Sequence, residues 1–309
     1  MSEKVINRSE KGRKRKRLFS HAAENGIFWM VIFLGTLGVL SLFSAGRQAI
    51  QTGGGKVRAL AEGRSHKTAE GFLPICSVDN GRRQAALTFE VGKGIDGVRE
   101  ILSILEANQV KASFFVNETW AKAYPQEVRE MAGKGHDLGC LEGQGASAEI
   151  SSHQNQPVSK VSLLQQELME AGQCIFQITG QEMELFRPVS GSLDDDKIIA
   201  ACGMGYYPVL WDVDSQDWKD YGAAQIVTQV LENPDLKDGS IVRFHCGVKY
   251  TPEALAEIIT GFKEQGYDLV PLSEMVIQEK YHLDEEGRQE ARVTVQVGLR
   301  TCCADRMIN

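Results

Sequence analysis

The chain lacks the features that hold small or repetitive proteins together. Its 309 residues include only seven cysteines, an odd and scattered set, which excludes a disulfide framework as the basis of the fold. No internal repeat is evident, which argues against a repeat array. Hydrophobic residues make up 42% and charged residues 24% of the chain, as in ordinary globular proteins. The length allows one large domain or two small ones.

Outside its first 17 residues, the chain has no excess of positive charge. Those residues carry eight Lys and Arg against two Glu, a net charge of +6, whereas the whole chain has −7, which leaves −13 for the remainder. An acidic body argues against nucleic acid as its partner. A short basic head is instead typical of a membrane topology signal.

One long uncharged run follows the basic head. Residues 27–45 contain no charge and no proline over 19 positions, close to the roughly 20 that a helix needs to cross a bilayer. The apolar region of a cleaved signal peptide is shorter, about 7–15 residues. We therefore expect residues 1–26 to be a basic cytoplasmic segment and 27–45 an uncleaved transmembrane helix, with cleavage near Ser44 as the alternative. The rest of the chain would lie outside the cytoplasm at the cell membrane.

The remaining sequence divides into a linker, one domain and a tail. Residues 46–73 are glycine-rich and polar and predict a flexible linker, whereas strand and helix patterns alternate about seven times over residues 74–279. This alternation predicts an α/β fold, a parallel sheet with helical crossovers that is closed into a barrel or open and doubly wound. Residues 280–309 are highly charged at first and predict a tail or one added strand. The predicted strands are 85–89, 112–116, 136–139, 184–187, 207–211, 240–244 and 268–271, and the predicted helices are 98–108, 125–134, 161–178, 195–202, 223–232 and 252–265.

Several helix ends carry matching signals. Thr251 before Pro252 predicts an N-cap followed by proline at the first helical position. A left-handed residue is favoured directly after a helix, and five residues follow predicted helices in this way: Asn108, Gly135, Gly180, Gly203 and Gly266.

Polar side chains stand at the ends of successive predicted strands, where β/α barrels carry their function. Glu90 is a candidate base that Arg187 would position and hold ionised. His245 is a candidate acid whose ring Asp214 would orient and whose pKa Asp214 would raise. The alternatives are a structural ion pair for Glu90 and Arg187 and a hydrogen-bonded core histidine for His245.

In order and spacing, six segments resemble the polysaccharide deacetylases with a NodB homology domain, which form carbohydrate esterase family 4. The similarity is greatest to membrane-anchored, sporulation-associated members. The resemblance implies a deformed (β/α) barrel, usually of seven units. It also implies hydrolysis of N-acetyl, sometimes O-acetyl, groups on peptidoglycan or chitin-like glycans by a divalent metal that one aspartate and two histidines hold. The segments are 87–89, 110–116, 135–139, 185–188, 211–214 with 217–218, and 249–255.

The implied metal ligands are replaced by residues without donor atoms. Val91 stands at the position of the aspartate ligand, and Leu141 and Gly145 stand at the positions of the histidines, so no zinc or other divalent cofactor is expected. Glu90 stands at the position of the family's aspartate base. A rebuilt metal site would need other donors, for which the candidates are Glu142, Asp96, Cys140 and His153.

Other candidates are weighed against plain structural roles. Trp218 and Tyr250 could stack on sugar rings, with barrel packing as the alternative for each. His136 lies inside a matching strand and is predicted to be structural. Cys246 is adjacent to His245, and strand neighbours point to opposite faces, so the two are not expected to form a nucleophile–base pair.

The sequence therefore predicts a membrane-anchored protein that acts at or binds cell-wall glycan, with its deacetylase chemistry impaired by the loss of the metal ligands. One alternative is an active N-deacetylase with an altered metal site. The other is a structural ectodomain of envelope or spore assembly.

Overall fold

The computed structural model describes residues 73–92, 94–143, 159–189, 191 and 193–292. The predicted cytoplasmic segment, the predicted helix 27–45, nearly all of the linker, Gly145, His153 and the end of the tail lie outside these residues. No helix among the described residues is long and apolar enough to cross a membrane.

The described residues form eleven strands, eight helices and a short 3-10 turn at Asp217–Lys219. The strands are β1 (Ser77–Asp79), β2 (Gln84–Val91), β3 (Ser113–Val116), β4 (Asp137–Leu141), β5 (Leu185–Arg187), β6 (Tyr207–Pro208), β7 (Val213–Asp214), β8 (Ser240–His245), β9 (Asp268–Leu269), β10 (Tyr281–Leu283) and β11 (Arg288–Ala291). The helices are α1 (Val98–Ala107), α2 (Glu118–Ala123), α3 (Pro125–Gly133), α4 (Lys160–Thr179), α5 (Asp195–Gly203), α6 (Ala223–Leu231), α7 (Thr251–Glu264) and α8 (Leu272–Met275).

These strands make one curled, mixed sheet. Its order is β10-β11-β1-β8-β2-β3-β4-β5-β6, while β7 pairs with β8 and β9 pairs with β2. The run from β8 through β6 is parallel, as helical crossovers require, whereas β1–β8 and β10–β11 are antiparallel. The sheet and its helices confirm the α/β prediction, and the count of seven units stays a prediction.

The curl brings the β6 edge back to the segment that precedes β1. Ile75 bridges Val209, its backbone N donates to Pro208 O at 2.8 Å, and Leu210 N donates to Ile75 O at 2.9 Å. We call this contact the seam. It places the carboxyl ends of β2, β5 and β8 around one shared mouth.

Most predicted elements are present with shifted ends. The predicted strand 207–211 shrinks to two residues because Leu210 turns away to bond Ile75 at the seam. Residues 281–291, which were predicted to be part of a tail or one added strand, form a hairpin of the sheet in which β11 runs parallel to β1.

Three helix-end predictions are wrong, and three are confirmed. Gly135, Gly180 and Gly266 are left-handed, with φ of 80°, 75° and 82°, as predicted. Gly203 is instead the last residue of α5, and Gly205 takes the positive φ of 81°. Asn108 stays right-handed, because the next residue, Gln109, takes the positive φ of 56°. Thr251 is the first residue of α7 rather than its cap, and its hydroxyl bonds a carboxylate outside the helix.

Two apolar clusters cover the two faces of the sheet. The outer cluster joins strand residues such as Phe89 and Val91 to apolar residues of α1, α4 and α7. The inner cluster fills the concave side and includes Phe115 and Leu141. Since side chains alternate along a strand, Glu90 between Phe89 and Val91 points to the concave side. The polar site therefore stands above the inner cluster.

Candidate active site

Four polar side chains meet at the mouth because of strand register. Glu90 at the end of β2 lies opposite His245 at the end of β8. Arg187 ends β5, and Arg243 precedes His245 by two residues on β8, so it shares the inner face with His245. The structure thus brings together three of the predicted residues and adds Arg243.

Glu90 is buried, with 6% of the residue exposed. Its Oε1 lies 3.8 Å from Arg187 Nη1 and 3.9 Å from Arg243 Nη1, and its Oε2 lies 3.7 Å from His245 Nε2. These distances exceed a hydrogen bond, and Oε1 has no hydrogen-bond partner in the described part of the chain. Burial raises the pKa of Glu90, and the opposite effects of Arg187, His245 and Arg243 are smaller. Arg187 thus favours the ionised form of Glu90, as predicted, but burial opposes it more strongly, so the net shift of the Glu90 pKa is upward.

Arg187 is fully buried and is bound mainly by the scaffold. Its Nη1 donates to Thr88 Oγ1 at 2.8 Å and its Nη2 to Leu210 O at 2.9 Å. Its guanidinium lies 4.0 Å from the ring centroid of Phe115. Burial lowers the pKa of Arg187 to about 9. Arg187 thus connects β2 to the chain beyond β6, and it reaches Glu90 without a hydrogen bond.

His245 is held by Asp217. Its Nδ1 lies 2.7 Å from Asp217 Oδ1, and its backbone N donates to Asp217 Oδ2 at 2.8 Å. Thr251 Oγ1 donates to the same Oδ2 at 2.7 Å, and Asp217 is fully buried. Since a carboxylate accepts, Nδ1 carries the proton, and Nε2 faces Glu90.

The prediction that Asp214 orients the ring of His245 is wrong. Asp214 on β7 is in register with Arg243 on β8, and its Oδ2 lies 2.8 Å from Arg243 Nη2. The 3-10 turn that follows β7 then places Asp217 beside the imidazole. The residue that orients the ring is therefore three positions further along the chain than predicted.

Arg243 is the functional candidate that sequence reasoning missed. Its guanidinium lies 3.7 Å from the ring centroid of Trp211, and its buried Nε has no hydrogen-bond partner among the described residues. The available signal was the alternation on β8, since a side chain two residues before His245 shares its face.

The residues at the implied ligand positions do not fit a metal. Val91 is fully buried in the outer cluster and Leu141 is buried in the inner cluster, while Gly145 lies outside the described residues. Over the described ranges, no group of three or more His, Cys, Asp or Glu side chains is arranged to hold a metal ion.

The candidate substitute ligands are engaged elsewhere or remote from the mouth. Glu142 Oε1 lies 2.8 Å from Lys197 Nζ. Cys140 is buried, and burial raises the pKa of its thiol. Asp96 is exposed in the turn before α1. His153 lies outside the described residues.

Two structural interpretations are confirmed. His136 Nδ1 accepts from Ala112 N at 3.1 Å, its ring packs edge-on to Phe114 at 5.2 Å, and burial lowers its pKa to about 4. Cys246 belongs to the outer cluster, on the face opposite His245, so no nucleophile–base pair forms there.

The chain that follows β7 carries two exposed aromatic rings. Trp218 is 55% exposed and Tyr221 is 70% exposed, and both follow β7 within a few residues. Tyr250 instead packs partly against the outer cluster, and its hydroxyl accepts from Lys249 Nζ at 2.8 Å. Of the two predicted aromatic residues, Trp218 is the more accessible, and Tyr221 is an addition.

The fold is a curled α/β sheet, and its candidate site lies at the ends of the strands. The site contains an imidazole–carboxylate pair and a buried carboxyl, at the position where α/β barrels carry their function. Residues 77–209 match the family model described as polysaccharide deacetylase. The peptidoglycan-N-acetylglucosamine deacetylase of Bacillus cereus is 30% identical over 204 residues, which cover 64% of this chain and 91% of that protein. The chain therefore belongs to the polysaccharide deacetylase family, carbohydrate esterase family 4, with its NodB-type domain.

Two further comparisons bear on function. The peptidoglycan-N-acetylmuramic acid deacetylase PdaC of Bacillus subtilis is 28% identical over 199 residues, 64% of this chain and 40% of that longer protein. Among solved structures, a wild-type carbohydrate esterase family 4 pseudoenzyme from Bacillus anthracis is 25% identical with a TM-score of 0.58, and the match covers 72% of this chain and 74% of that chain.

Proposed function

We propose that the protein is a membrane-anchored member of the family that binds N-acetylated cell-wall glycan and is impaired in metal-dependent deacetylation. The observation that carries this proposal is the burial of Val91 and Leu141 in apolar clusters at implied ligand positions. Relatives named as peptidoglycan deacetylases support the choice of glycan. A solved neighbour described as a pseudoenzyme supports the loss of activity.

Cellular placement belongs to the same proposal. The uncharged run at residues 27–45 follows a basic head and supports a single-pass anchor with a cytoplasmic N-terminus. The domain would then face the cell wall. The resemblance to sporulation-associated members supports a role in the envelope of a spore-forming cell.

The mouth offers complementary groups to an acetamido sugar. An acetamido group presents one N–H donor and one C=O acceptor. The carboxyl of Glu90 and the Nε2 of His245, whose side chain is 23% exposed, are polar partners within reach of such a group. Arg187 and Asp214 would hold this arrangement in place, and Trp218 would cover the sugar ring. The proposed site is thus Glu90 and His245 for contact, with scaffold groups around them.

Acetate release tests the chemical half of the proposal. The full chain is incubated with N-acetylated peptidoglycan or chitooligosaccharide, with zinc or cobalt added. The Bacillus cereus relative serves as the positive control. We expect no acetate above the level of the control without protein. Sustained turnover would show instead an active deacetylase with an altered metal site.

Glycan binding tests the other half. Trp218→Ala removes the exposed ring at the mouth, and stacking of this kind is worth about 1 kcal/mol, or about 5-fold in affinity. Phe176→Ala on α4 is the matched control, because Phe176 is a similarly exposed aromatic at 52%. We expect only Trp218→Ala to weaken the retention of insoluble peptidoglycan. No binding by the unaltered chain would favour a structural ectodomain.

A further inference from the structure

The carboxylate that orients His245 is bound to two different elements of the fold. Asp217 Oδ1 lies 2.7 Å from His245 Nδ1, and Asp217 Oδ2 accepts from the His245 backbone N at 2.8 Å. Both of these contacts bind Asp217 to β8, the strand that carries the ring. Thr251 on α7 supplies a contact from a second element, because its Oγ1 donates to the same Asp217 Oδ2 at 2.7 Å.

This hydroxyl–carboxylate contact is closed to solvent. Asp217 and Thr251 are both 0% exposed. A buried carboxylate is costly unless donors satisfy its oxygens. Since solvent does not reach either residue, water does not supply a substitute donor if the Thr251 hydroxyl is removed.

The Thr251 hydroxyl is used by the site and not by its own helix. A threonine at the start of a helix commonly accepts a hydrogen bond from a helix N–H and so stabilises the helix end. In α7 the N-cap position is Tyr250, which makes no side-chain cap bond, and Thr251 is the first helical residue. The helix therefore lacks a side-chain cap while its threonine bonds Asp217, and a local rule broken in this way is expected at a functional site.

α7 is a rigid support for this contact. Its residues Leu255, Ile258 and Phe262 are fully buried in the outer cluster. Pro252, directly after Thr251, restricts the backbone at the start of the helix. Thr251 thus connects the carboxylate to a helix whose position is set by apolar packing.

We propose that Thr251 is a positioning residue of the mouth, whose hydroxyl fixes Asp217 and, through Asp217, the direction in which His245 Nε2 faces a ligand. Groups that contact a ligand need such support, because small displacements weaken their contacts. The inference rests on the proposed function, in which His245 contacts the acetamido group. Thr251 is fully buried, so it acts through Asp217 and not by touching the ligand.

Replacement of the hydroxyl tests the inference. Thr251→Val keeps the shape of the side chain and removes the hydroxyl, whereas Thr251→Ser keeps the hydroxyl. Ser113→Ala is the matched control, because Ser113 is also fully buried and its Oγ donates to Asp137 Oδ2 at 2.9 Å, at the amino end of β3. Exchange of the His245 Nδ1–H proton with water is measured by NMR on the full-length chain with isotope-labelled histidine. The signal is assigned by its loss in His245→Asn.

We expect the Nδ1–H proton to exchange about 10-fold faster in Thr251→Val than in the unaltered chain, the scale of one lost hydrogen bond to a charged group. Thr251→Ser and Ser113→Ala should keep the exchange rate of the unaltered chain. Equal exchange in Thr251→Val and the unaltered chain would overturn the proposal. Equally fast exchange in Thr251→Ser or in Ser113→Ala would overturn it too, because the effect would then not come from this hydroxyl.

A second variant and a second measurement complete the test. Thr251→Ala also removes the hydroxyl, and it replaces Thr251→Val if the latter fails to fold by circular dichroism. The folded variant should retain insoluble peptidoglycan less well than Ser113→Ala does. Glycan retention by the unaltered chain decides the proposed function, whereas proton exchange decides the role of Thr251 without any glycan, so the two failures are distinguishable.

Discussion

The two sides of the mouth differ in what holds them together. On the β7–β8 side, Asp217 joins His245 and Thr251 through contacts of 2.7–2.8 Å. On the β2–β4 side, the side chains of Val91 and Leu141 make apolar contacts in the two clusters. Glu90 stands between them with contacts of 3.7–3.9 Å. The comparison shows that His245 is fixed by bonds that also hold the backbone, whereas Val91 and Leu141, at two implied ligand positions, are part of the apolar core.

The largest effect should come from a carboxylate placed on the apolar side. Val91→Asp would bury a charge among the outer cluster and should lower the free energy of unfolding by about 4 kcal/mol. Val91→Ala, the control, only leaves a small cavity and should cost roughly 2 kcal/mol. Urea denaturation of both variants measures the difference. If Asp costs no more than Ala, position 91 is not part of the apolar core.

Loss of the carboxylate on the polar side should cost slightly less. Asp217→Ala leaves the His245 and Thr251 donors buried without their acceptor, and we expect a loss of about 3 kcal/mol in the free energy of unfolding. Asp235→Ala, at an exposed position, should change stability little. A loss below about 1 kcal/mol for Asp217→Ala would mean that water replaces the carboxylate and that this side is not rigid.

A buried histidine away from the mouth, His136 at the amino end of β4, should give a pH-dependent effect of similar size. Burial lowers the pKa of His136 from 6.5 to about 4, so between these values the unfolded chain binds a proton that the folded chain does not. Stability is therefore present above pH 6.5 and is lost as pH falls toward 4, by roughly 3 kcal/mol. Urea midpoints measured across this window should fall less in His136→Asn.

The control for this histidine is His282→Asn, because His282 is half-exposed beside Glu290. It should leave the pH profile of the unaltered chain intact. An unchanged profile in His136→Asn would show that other groups cause the acid sensitivity.

Glu90 should give the smallest effect, with the opposite sign. Its raised pKa means that the folded chain keeps the proton above the ordinary value of 4.5, so the unaltered chain loses stability as pH rises through that window. Glu90→Gln removes this loss and should gain stability relative to the unaltered chain as pH rises above 4.5. Urea midpoints at acid and neutral pH measure the trend.

Glu127→Gln is the matched control for Glu90. Glu127 is also buried, but its Oε1 accepts from Arg99 at 2.6 Å, so this variant should show no such gain. A gain of equal size in both variants would mean that the missing hydrogen bond at Glu90 has no energetic consequence.

Strand alternation and parallel register made much of the site predictable. Glu90, Arg187 and His245 were expected to meet because each ends a parallel strand, and they do. The choice between Asp214 and Asp217 depends on a turn in which Gln216 has a φ of 53°, a conformation that residue type does not dictate.

Two other features escaped prediction because their stability comes from tertiary contacts. Arg243 is a partly buried arginine within an apolar strand, and its contacts with Asp214 and Trp211 depend on residues that are distant in sequence. The hairpin at residues 281–291 lacks apolar alternation. It is stabilised by its register with β1 rather than by its own pattern.

The seam at Ile75 determines where a force applied along the chain reaches the folded domain. Residues 75–78 make backbone bonds to Pro208, Gly287 and Gly239, and Ile75 O accepts from Leu210. Any tension carried along the chain before Pro74 therefore enters the fold where the sheet closes on itself. The segment that follows the linker is therefore part of the closed sheet and not a flexible connection to it. A truncation that begins after Asp79 would remove both the closure and β1, the strand that joins β8 to the hairpin.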